Sequence, residues 1–186
     1  INNTKFIKRA KIIRDKGTNR DLFDKNLVKK YTWIDLGSSY GLDEINAAFL
    51  YSQLKLAKKI IKKRIDIFNA YHKELKSLEI KKLIKRPSIP KYAKHNGHIY
   101  YLIVNSNQRN NLIKYLKQKK INSVFHYIPL HNSLFGKKKS KKKMELQNTN
   151  KLSISLLRLP IYFKLRNYEI HYVIKNIFDF YKYDYQ

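Results

Sequence analysis

The sequence predicts an α/β or α+β fold, and three neighbouring segments carry that prediction. Residues 98–104, His-Ile-Tyr-Tyr-Leu-Ile-Val, are rich in β-branched and aromatic residues and predict a strand. Residues 108–119 have apolar positions at helical spacing and predict a helix, and residues 121–125 predict a second strand. A strand, a helix and a strand at this spacing are typical of a sheet layer packed against helices.

The first 42 residues predict a short helix followed by a long irregular segment. Residues 4–15 predict a basic helix, and Gly17 is expected at its C′ position, where a left-handed backbone is common. Residues 21–42 show no sustained period and contain the cluster Gly37-Ser38-Ser39-Tyr40-Gly41. Long irregular segments in compact proteins often carry function.

Residues 43–78 predict one long helix. Asp43 is expected as its N-cap, because a carboxylate there accepts hydrogen bonds from first-turn N–H groups. Mostly apolar residues recur at three-to-four spacing and predict an inward stripe: Ile45, Ala48, Phe49, Ser52, Leu56, Ile60, Ile67 and Tyr71. The lysines of the middle section are expected on a solvated face.

Four further segments complete the prediction. The lysine-rich residues 137–143 repel one another and predict a mobile loop. Residues 148–156 predict a short helix, and residues 157–160 predict a brief strand or turn. Residues 167–181 predict a closing amphipathic helix.

The chain is strongly basic, with 41 Lys and Arg against 13 Asp and Glu. One interpretation is a surface for nucleic acid or an anionic membrane. The other is drift of a genome toward A and T, because only 8 of these cations are Arg and because Ile, Asn, Tyr and Phe are also abundant. Readers of nucleic acid favour Arg for bidentate contacts, so we favour drift and keep nucleic-acid binding as an alternative.

Other site classes have little support in the sequence. Cysteine is absent, which excludes disulfides and thiolate metal sites and fits a cytoplasmic location. No apolar run is long enough to predict a membrane span. His126 and His131 flank a loop, but no carboxylate has matching spacing, so no metal site is expected. Gly37-Ser38-Ser39 offers small donors for a phosphate, but the pattern alone favours an ordinary turn.

Several stretches, in one order along the chain, resemble the DegT/StrS-type sugar aminotransferases. They are residues 9–20, residues 30–40, residues 44–50, Pro87-Ser88-Ile89-Pro90, His98 with Tyr100, residues 124–131 and Leu157-Arg158-Leu159-Pro160. The resemblance covers nearly the whole chain. It implies the C-terminal portion of a fold-type I aminotransferase, with a long bridging helix and a small mixed sheet covered by helices.

The resemblance also implies a division of the chain and an assembly. Residues 1–42 would end the large domain that binds pyridoxal 5′-phosphate (PLP), residues 43–78 would bridge, and residues 79–186 would form the small domain. Family members are homodimers with active sites between subunits. The implied reaction moves an amino group from glutamate to a dTDP-4-keto-6-deoxyhexose in the synthesis of surface polysaccharides such as enterobacterial common antigen, without a membrane partner.

The resemblance implies roles for a few residues of this chain. Ser39 stands where many members have an Asn that reaches the PLP phosphate of the neighbouring subunit, and Gly41 stands where they have Arg. Asn19 and Arg20 are expected near the mouth of the substrate site. His126 and Tyr127 are expected to line the sugar pocket, whereas packing roles are expected for Trp33, Tyr100 and Arg158.

No catalytic residue is assigned within this chain. The family lysine that holds PLP lies upstream of the segment matched by Ile1, and none of the lysines here has a matching position. The chain alone is therefore expected to be inactive. It would be either a part of an intact enzyme or, as the alternative, a non-catalytic remnant or interaction subunit.

Overall fold

Helices and short strands make up the part of the chain that the computed structural model describes, residues 1–139 and 146–182. The α-helices are α1 Ile7–Arg14, α2 Arg20–Phe23, α3 Glu44–Lys55, α4 Ala57–Glu74, α5 Lys76–Ile80, α6 Ser106–Gln118, α7 Leu134–Lys139, α8 Gln147–Ser155 and α9 Asn167–Phe180. The strands are β1 Ile84–Lys85, β2 Tyr100–Val104, β3 Val124–Phe125 and β4 Leu156–Leu159. Single 3₁₀ turns cover Thr4–Phe6 and Leu130–Asn132.

Most segment predictions are confirmed. The predicted helices over residues 108–119, 148–156 and 167–181 are α6, α8 and α9, with ends within two residues of the prediction. The prediction of a loop over residues 137–143 is wrong in its first part, because Lys137–Lys139 form the end of α7. Residues 140–143 lie outside the described residues. Within the described ranges, no helix is both long enough and apolar enough to cross a membrane.

The predicted long helix over residues 43–78 is three helices. Asp43 caps α3 as predicted, its side chain accepting from the Asn46 N–H at 2.9 Å. The helix then breaks at Leu56, whose N–H turns back to the Gln53 carbonyl in a tighter i to i−3 bond. A second break at Leu75 separates α4 from α5.

The chain forms two compact units, Ile1–Leu56 and Ala57–Gln186. In the first unit, Gly17 is the only buried residue among residues 1–56. The stripe predicted on residues 43–78 is accordingly split, since Ile45 is 84% exposed whereas Ile67 is 1% exposed. The predicted domain limits at residues 42 and 78 concern the longer family fold and stay a prediction.

The sheet of the second unit is antiparallel at every described pairing, in the order β1-β2-β4-β3, so the expectation of a mixed sheet is wrong. The physical reason is the position of β4. The segment β2-α6-β3 is the predicted strand, helix and strand, but β4 inserts between the two strands and runs opposite to both. The two strands are thus parallel to each other without being neighbours, a split βαβ arrangement.

One face of this sheet forms the core with the helices. Along β2 the buried positions alternate, and Tyr100, Leu102 and Val104 lie inward. The inward face of α9 supplies Ile170, Val173, Ile174, Ile177 and Phe178 to the same core. Tyr71 of α4 is fully buried and donates its hydroxyl to the Pro160 carbonyl at 2.9 Å, which ties the helix layer to the end of β4.

Within residues 1–139 and 146–182, four helices are followed by a lysine in the left-handed conformation at C′, where glycine is usual. Lys16, Lys82, Lys120 and Lys182 have φ of 60°, 58°, 59° and 54°. After α1 the predicted position is therefore wrong by one residue, because Lys16 occupies C′ and Gly17 follows it. Each lysine has steric strain between its Cβ and the backbone, which a glycine would not have.

We expect Lys120→Gly to stabilise the protein by about 1 kcal/mol, since relief of left-handed strain outweighs the greater freedom of glycine in the unfolded chain. The neighbouring Lys119 has φ of −84°, so Lys119→Gly is the matched control and should destabilise by about 0.5–1 kcal/mol. Urea unfolding followed by circular dichroism measures both. A loss of stability in both variants would contradict the assignment of Lys120 to a strained helix end.

Candidate functional site

The loop over residues 37–41 is fixed by hydrogen bonds to the end of α1. The Ser38 N–H donates to the Ile13 carbonyl at 2.9 Å, and the Tyr40 N–H donates to the Arg14 carbonyl at 3.0 Å. These carbonyls belong to the last turn of α1 and have no partner within the helix. The Lys16 N–H donates in turn to the Ser38 carbonyl at 3.1 Å. Ser39, between the two donors, thus has a defined place with an exposed side chain.

Two glycines allow this close approach. A Cβ on Gly17 would lie 1.7 Å from the Asp35 carbonyl oxygen, and a Cβ on Gly37 would lie 2.1 Å from the Gly17 nitrogen. Neither position has room for a side chain. A Cβ on Gly41, by contrast, would meet nothing within 4 Å, so the end of the loop borders open space.

Asn19 and Arg20 lie on the segment that pairs with the same irregular stretch. Thr18 forms a bridge with Trp33, and Asp15 forms one with Ser39. The Asn19 side-chain oxygen accepts from the Thr32 N–H at 2.7 Å, so this residue shapes the loop, and its amide N–H group is what remains for a ligand. The exposed Arg20 guanidinium lies 5.8 Å from the centre of the Tyr31 ring.

A cavity of about 390 Å³ opens beside Asn19 in the first unit. It is lined by Thr4, Ile7, Lys8, Lys11, Ile12, Thr18, Asn19, Asp21, Leu22 and Ile34. Its one carboxylate, on Asp21, accepts hydrogen bonds from Lys11 and Lys25, which hold the Asp21 pKa below its ordinary value. Because Lys11 is engaged by Asp21, the cavity offers an apolar wall and few free charges.

Ser39 fits a phosphate as a single donor. Its hydroxyl makes none of the hydrogen bonds found within residues 1–139 and 146–182, and the space beside Gly41 is open. A hydroxyl can donate one hydrogen bond to a phosphate oxygen. The remaining contacts that a bound cofactor requires would come from other residues.

His126 and Tyr127 follow β3 at the edge of the sheet in the second unit. Their rings are in contact, with centres 5.0 Å apart, and Tyr127 is 74% exposed. The Arg158 guanidinium of β4 lies 5.8 Å from the Tyr127 ring centre. The structure therefore brings together the two predicted pocket residues and adds Arg158, for which the sequence predicted only packing. Cross-strand pairing of β3 with β4 is the cause, and no local sequence pattern predicts which strands pair.

Of the two other residues expected to pack, Tyr100 is buried and Trp33 is exposed. Tyr100 is fully buried, as predicted, whereas Trp33 is 73% exposed, so a packing role for Trp33 within this chain is wrong. Trp33 lies in the first unit, which has no core of its own.

His131 bonds to the Asn150 side-chain oxygen at 2.9 Å. Among the described residues, no three His, Asp or Glu side chains cluster as a metal would require.

Comparison with known proteins identifies the family. The model of the DegT/DnrJ/EryC1/StrS aminotransferase family matches residues 1–178. An uncharacterized protein of Methanocaldococcus jannaschii is 31% identical over 184 residues, which cover 94% of this chain and 47% of that protein. The UDP-4-amino-4,6-dideoxy-N-acetyl-beta-L-altrosamine transaminase of Campylobacter jejuni (strain 81-176) is 27% identical over 184 residues, covering 95% of this chain and 46% of that protein.

The fold agrees with this match. The PLP form of a putative sugar aminotransferase from Streptococcus pneumoniae superimposes with a TM-score of 0.78 at 19% identity, over 98% of this chain and 45% of that one. The neighbours are fold-type I aminotransferases, and this chain corresponds to their C-terminal part. It spans about half the length of the relatives it matches. The chain belongs to the DegT/DnrJ/EryC1/StrS aminotransferase family, whose members use PLP.

Proposed function

We propose that residues 1–186 are the C-terminal part of an aminotransferase that moves the amino group of glutamate to a nucleotide-linked 4-keto-6-deoxyhexose. The single observation that carries this proposal is the family match over residues 1–178. The Campylobacter relative supports the substrate class, since its name specifies a 4-amino-4,6-dideoxy sugar on a nucleotide. An amino group at C4 is what transfer to a 4-keto sugar yields.

The finer proposal is a dTDP-linked substrate, as for dTDP-4-amino-4,6-dideoxygalactose transaminase, in the synthesis of a surface polysaccharide such as enterobacterial common antigen. It rests on the ordered set of motifs and on the Ser38-Ser39 form of the loop. dTDP and UDP differ by the methyl group of thymine and by the 2′-hydroxyl of ribose, and a binding pocket discriminates a single methyl group by about 10- to 200-fold. Specificity for the nucleotide is therefore open to direct measurement.

The residues of this chain would act by binding and orientation. PLP, when bound, supplies the electron sink for amino transfer. The Ser39 hydroxyl would donate to a phosphate oxygen of PLP. Arg20, at the mouth of the site, would attract the diphosphate of the nucleotide sugar, and Asn19 would hold the loop beside it. His126 and Tyr127 would line the sugar pocket, where the exposed ring of Tyr127 offers an apolar surface and a hydroxyl.

The first unit supports an assembly of subunits. It leaves large apolar side chains in solvent, including Leu36 at 75% and Phe49 at 66% exposure, with no core among residues 1–56. Patches of this kind mark surfaces that further protein covers, either the remainder of the family fold or a second subunit. We infer a homodimer in the cytoplasm, with Ser39 at the interface near the partner's cofactor.

Expression of the full reading frame that encodes residues 1–186 tests the function. The purified protein is supplied with PLP, glutamate and either the dTDP- or the UDP-linked 4-keto-6-deoxyhexose, and 2-oxoglutarate and amino sugar are measured. We expect stoichiometric formation of both products and a tenfold or greater preference for dTDP. The 186-residue chain alone should give no turnover. Absence of turnover from the full reading frame with either nucleotide would refute the proposed activity.

A further inference from the structure

The face of the sheet that points away from the core carries one cation near its centre. Alternation along β4 places Leu157 and Leu159 in the core and Arg158 on the opposite face. In the register of the sheet, Arg158 is paired with Tyr101 of β2 on one side and with Val124 of β3 on the other. Arg158 is thus flanked by a strand on each side.

In the part of the chain that the structure describes, Arg158 has no acidic partner, a property that it shares with Arg64 and Arg109. In the described part of the chain, ion pairs hold Arg9, Arg14, Arg20, Arg86 and Arg166, each to an Asp or Glu. For Arg158 there is only a long contact of 3.4 Å, from Nη2 to the Phe125 carbonyl, and the face of the Tyr127 ring. Its Nε is buried with no hydrogen-bond partner. An unsatisfied buried donor is costly, so a ligand that accepts from it would gain.

The backbone beneath this side chain is fixed. The Ser123 hydroxyl donates to the Arg158 carbonyl at 2.9 Å, and Ser123 is only 5% exposed. Together with strand pairing on both sides, this contact holds the Cα of Arg158 in place. A guanidinium presented from a rigid element loses less freedom when it binds.

We propose that Arg158 binds an anionic group of a substrate, side-on, through its Nε–H and Nη2–H. The guanidinium fork matches the two oxygens of a carboxylate or of a phosphate. Tyr127, which is largely exposed, lies against the guanidinium and moves aside to admit the anion. The proposal rests on the proposed function, which offers two sources of this chemistry: a carboxylate of glutamate and the diphosphate of the nucleotide sugar.

The proposed role of Arg158 is tested by steady-state kinetics, measured on the protein from the full reading frame. Arg158→Gln is expected to raise the KM for one of the two substrates at least tenfold, and Arg158→Lys should not restore it, because an ammonium has no planar fork. A rise for glutamate assigns the carboxylate, and a rise for the nucleotide sugar assigns the diphosphate. The matched control is Arg109→Gln. Arg109 lies over the Phe125 ring, but its Nε is bonded to the Ile154 carbonyl at 3.1 Å, so both KM values should stay within twofold.

A binding measurement keeps the proposal separate from turnover. The Nε–H signal of Arg158 in the protein from the full reading frame, assigned by its loss in Arg158→Gln, is followed by NMR during titration with sodium glutamate or inorganic diphosphate. We expect a saturable shift with one of them. A shift without turnover from the full reading frame would refute the activity and leave the anion site standing. Turnover without any saturable shift, and with both KM values unchanged in Arg158→Gln, would overturn the site.

Discussion

Gly37→Ala is expected to detach the loop over residues 37–41 from α1, while Gly41→Ala is expected to leave it in place. The added Cβ at residue 37 would lie 2.1 Å from the Gly17 nitrogen and 2.7 Å from its Cα. Both neighbours are backbone atoms and cannot rotate away. The segments must therefore separate, and the hydrogen bond from the Lys16 N–H to the Ser38 carbonyl is lost first.

The expected size of this effect is about 3 kcal/mol of local stability, the range of a backbone clash that breaks several hydrogen bonds. Amide hydrogen exchange measures it directly, since opening of the loop exposes the N–H groups of Lys16, Ser38 and Tyr40. These amides should exchange about 100-fold faster in Gly37→Ala than in Gly41→Ala. In the protein from the full reading frame, PLP affinity should fall with the first substitution only. Equal exchange in the two variants would show that the loop is not held through Gly37.

The sequence does not predict the role of Gly37, although it does show the cluster Gly37-Ser38-Ser39. The sequence offers Gly37-Ser38-Ser39 as a set of small donors, and the family resemblance points to Ser39 among them. That Gly37 packs on Gly17, twenty residues earlier, follows from the bridge between Asp15 and Ser39. Pairing of two irregular segments has no periodicity, so local sequence patterns do not predict it.

The second unit shows what periodicity can and cannot predict. The spacing of apolar residues correctly predicts α6 and α9, because amphipathic helices that cover a sheet keep a regular buried stripe. Strand order was not predictable, since β4 inserts between β2 and β3 from more than 30 residues further along the chain. The sequence predicts only a packing role for Arg158, whose neighbours Tyr101 and Val124 are known only from the register.

The prediction of one buried apolar stripe along residues 43–78 is wrong for a different reason. Its period is genuine, but a period shows which residues share a face and not what covers that face. In α4 the face meets α9 and is buried at Ile67 and Tyr71. In α3 the same kind of face, with Ile45 and Phe49, is exposed in this chain. Periodicity alone therefore predicts the same burial for both helices, although only the face of α4 is buried in the structure.

Leu157→Ala is expected to remove about 3 kcal/mol from the free energy of unfolding, within the range of 2–5 kcal/mol for buried leucines. Leu157 is fully buried in β4 and is paired with Leu102 of β2, which is also fully buried. Truncation leaves a cavity between two strands that pair along most of their length and cannot collapse inward without breaking the register.

The neighbouring Leu156 provides the control, since it has the same chemistry on the opposite face of the same strand. It is only partly buried, so Leu156→Ala should cost about 1 kcal/mol. Urea unfolding of both variants under identical conditions compares the two faces. All of the buried apolar core residues belong to residues 57–186, so the difference reports on the second unit. Equal losses would mean that both faces of the sheet are covered to the same degree, and Arg158 would then lie beneath protein rather than on a surface open to an anion.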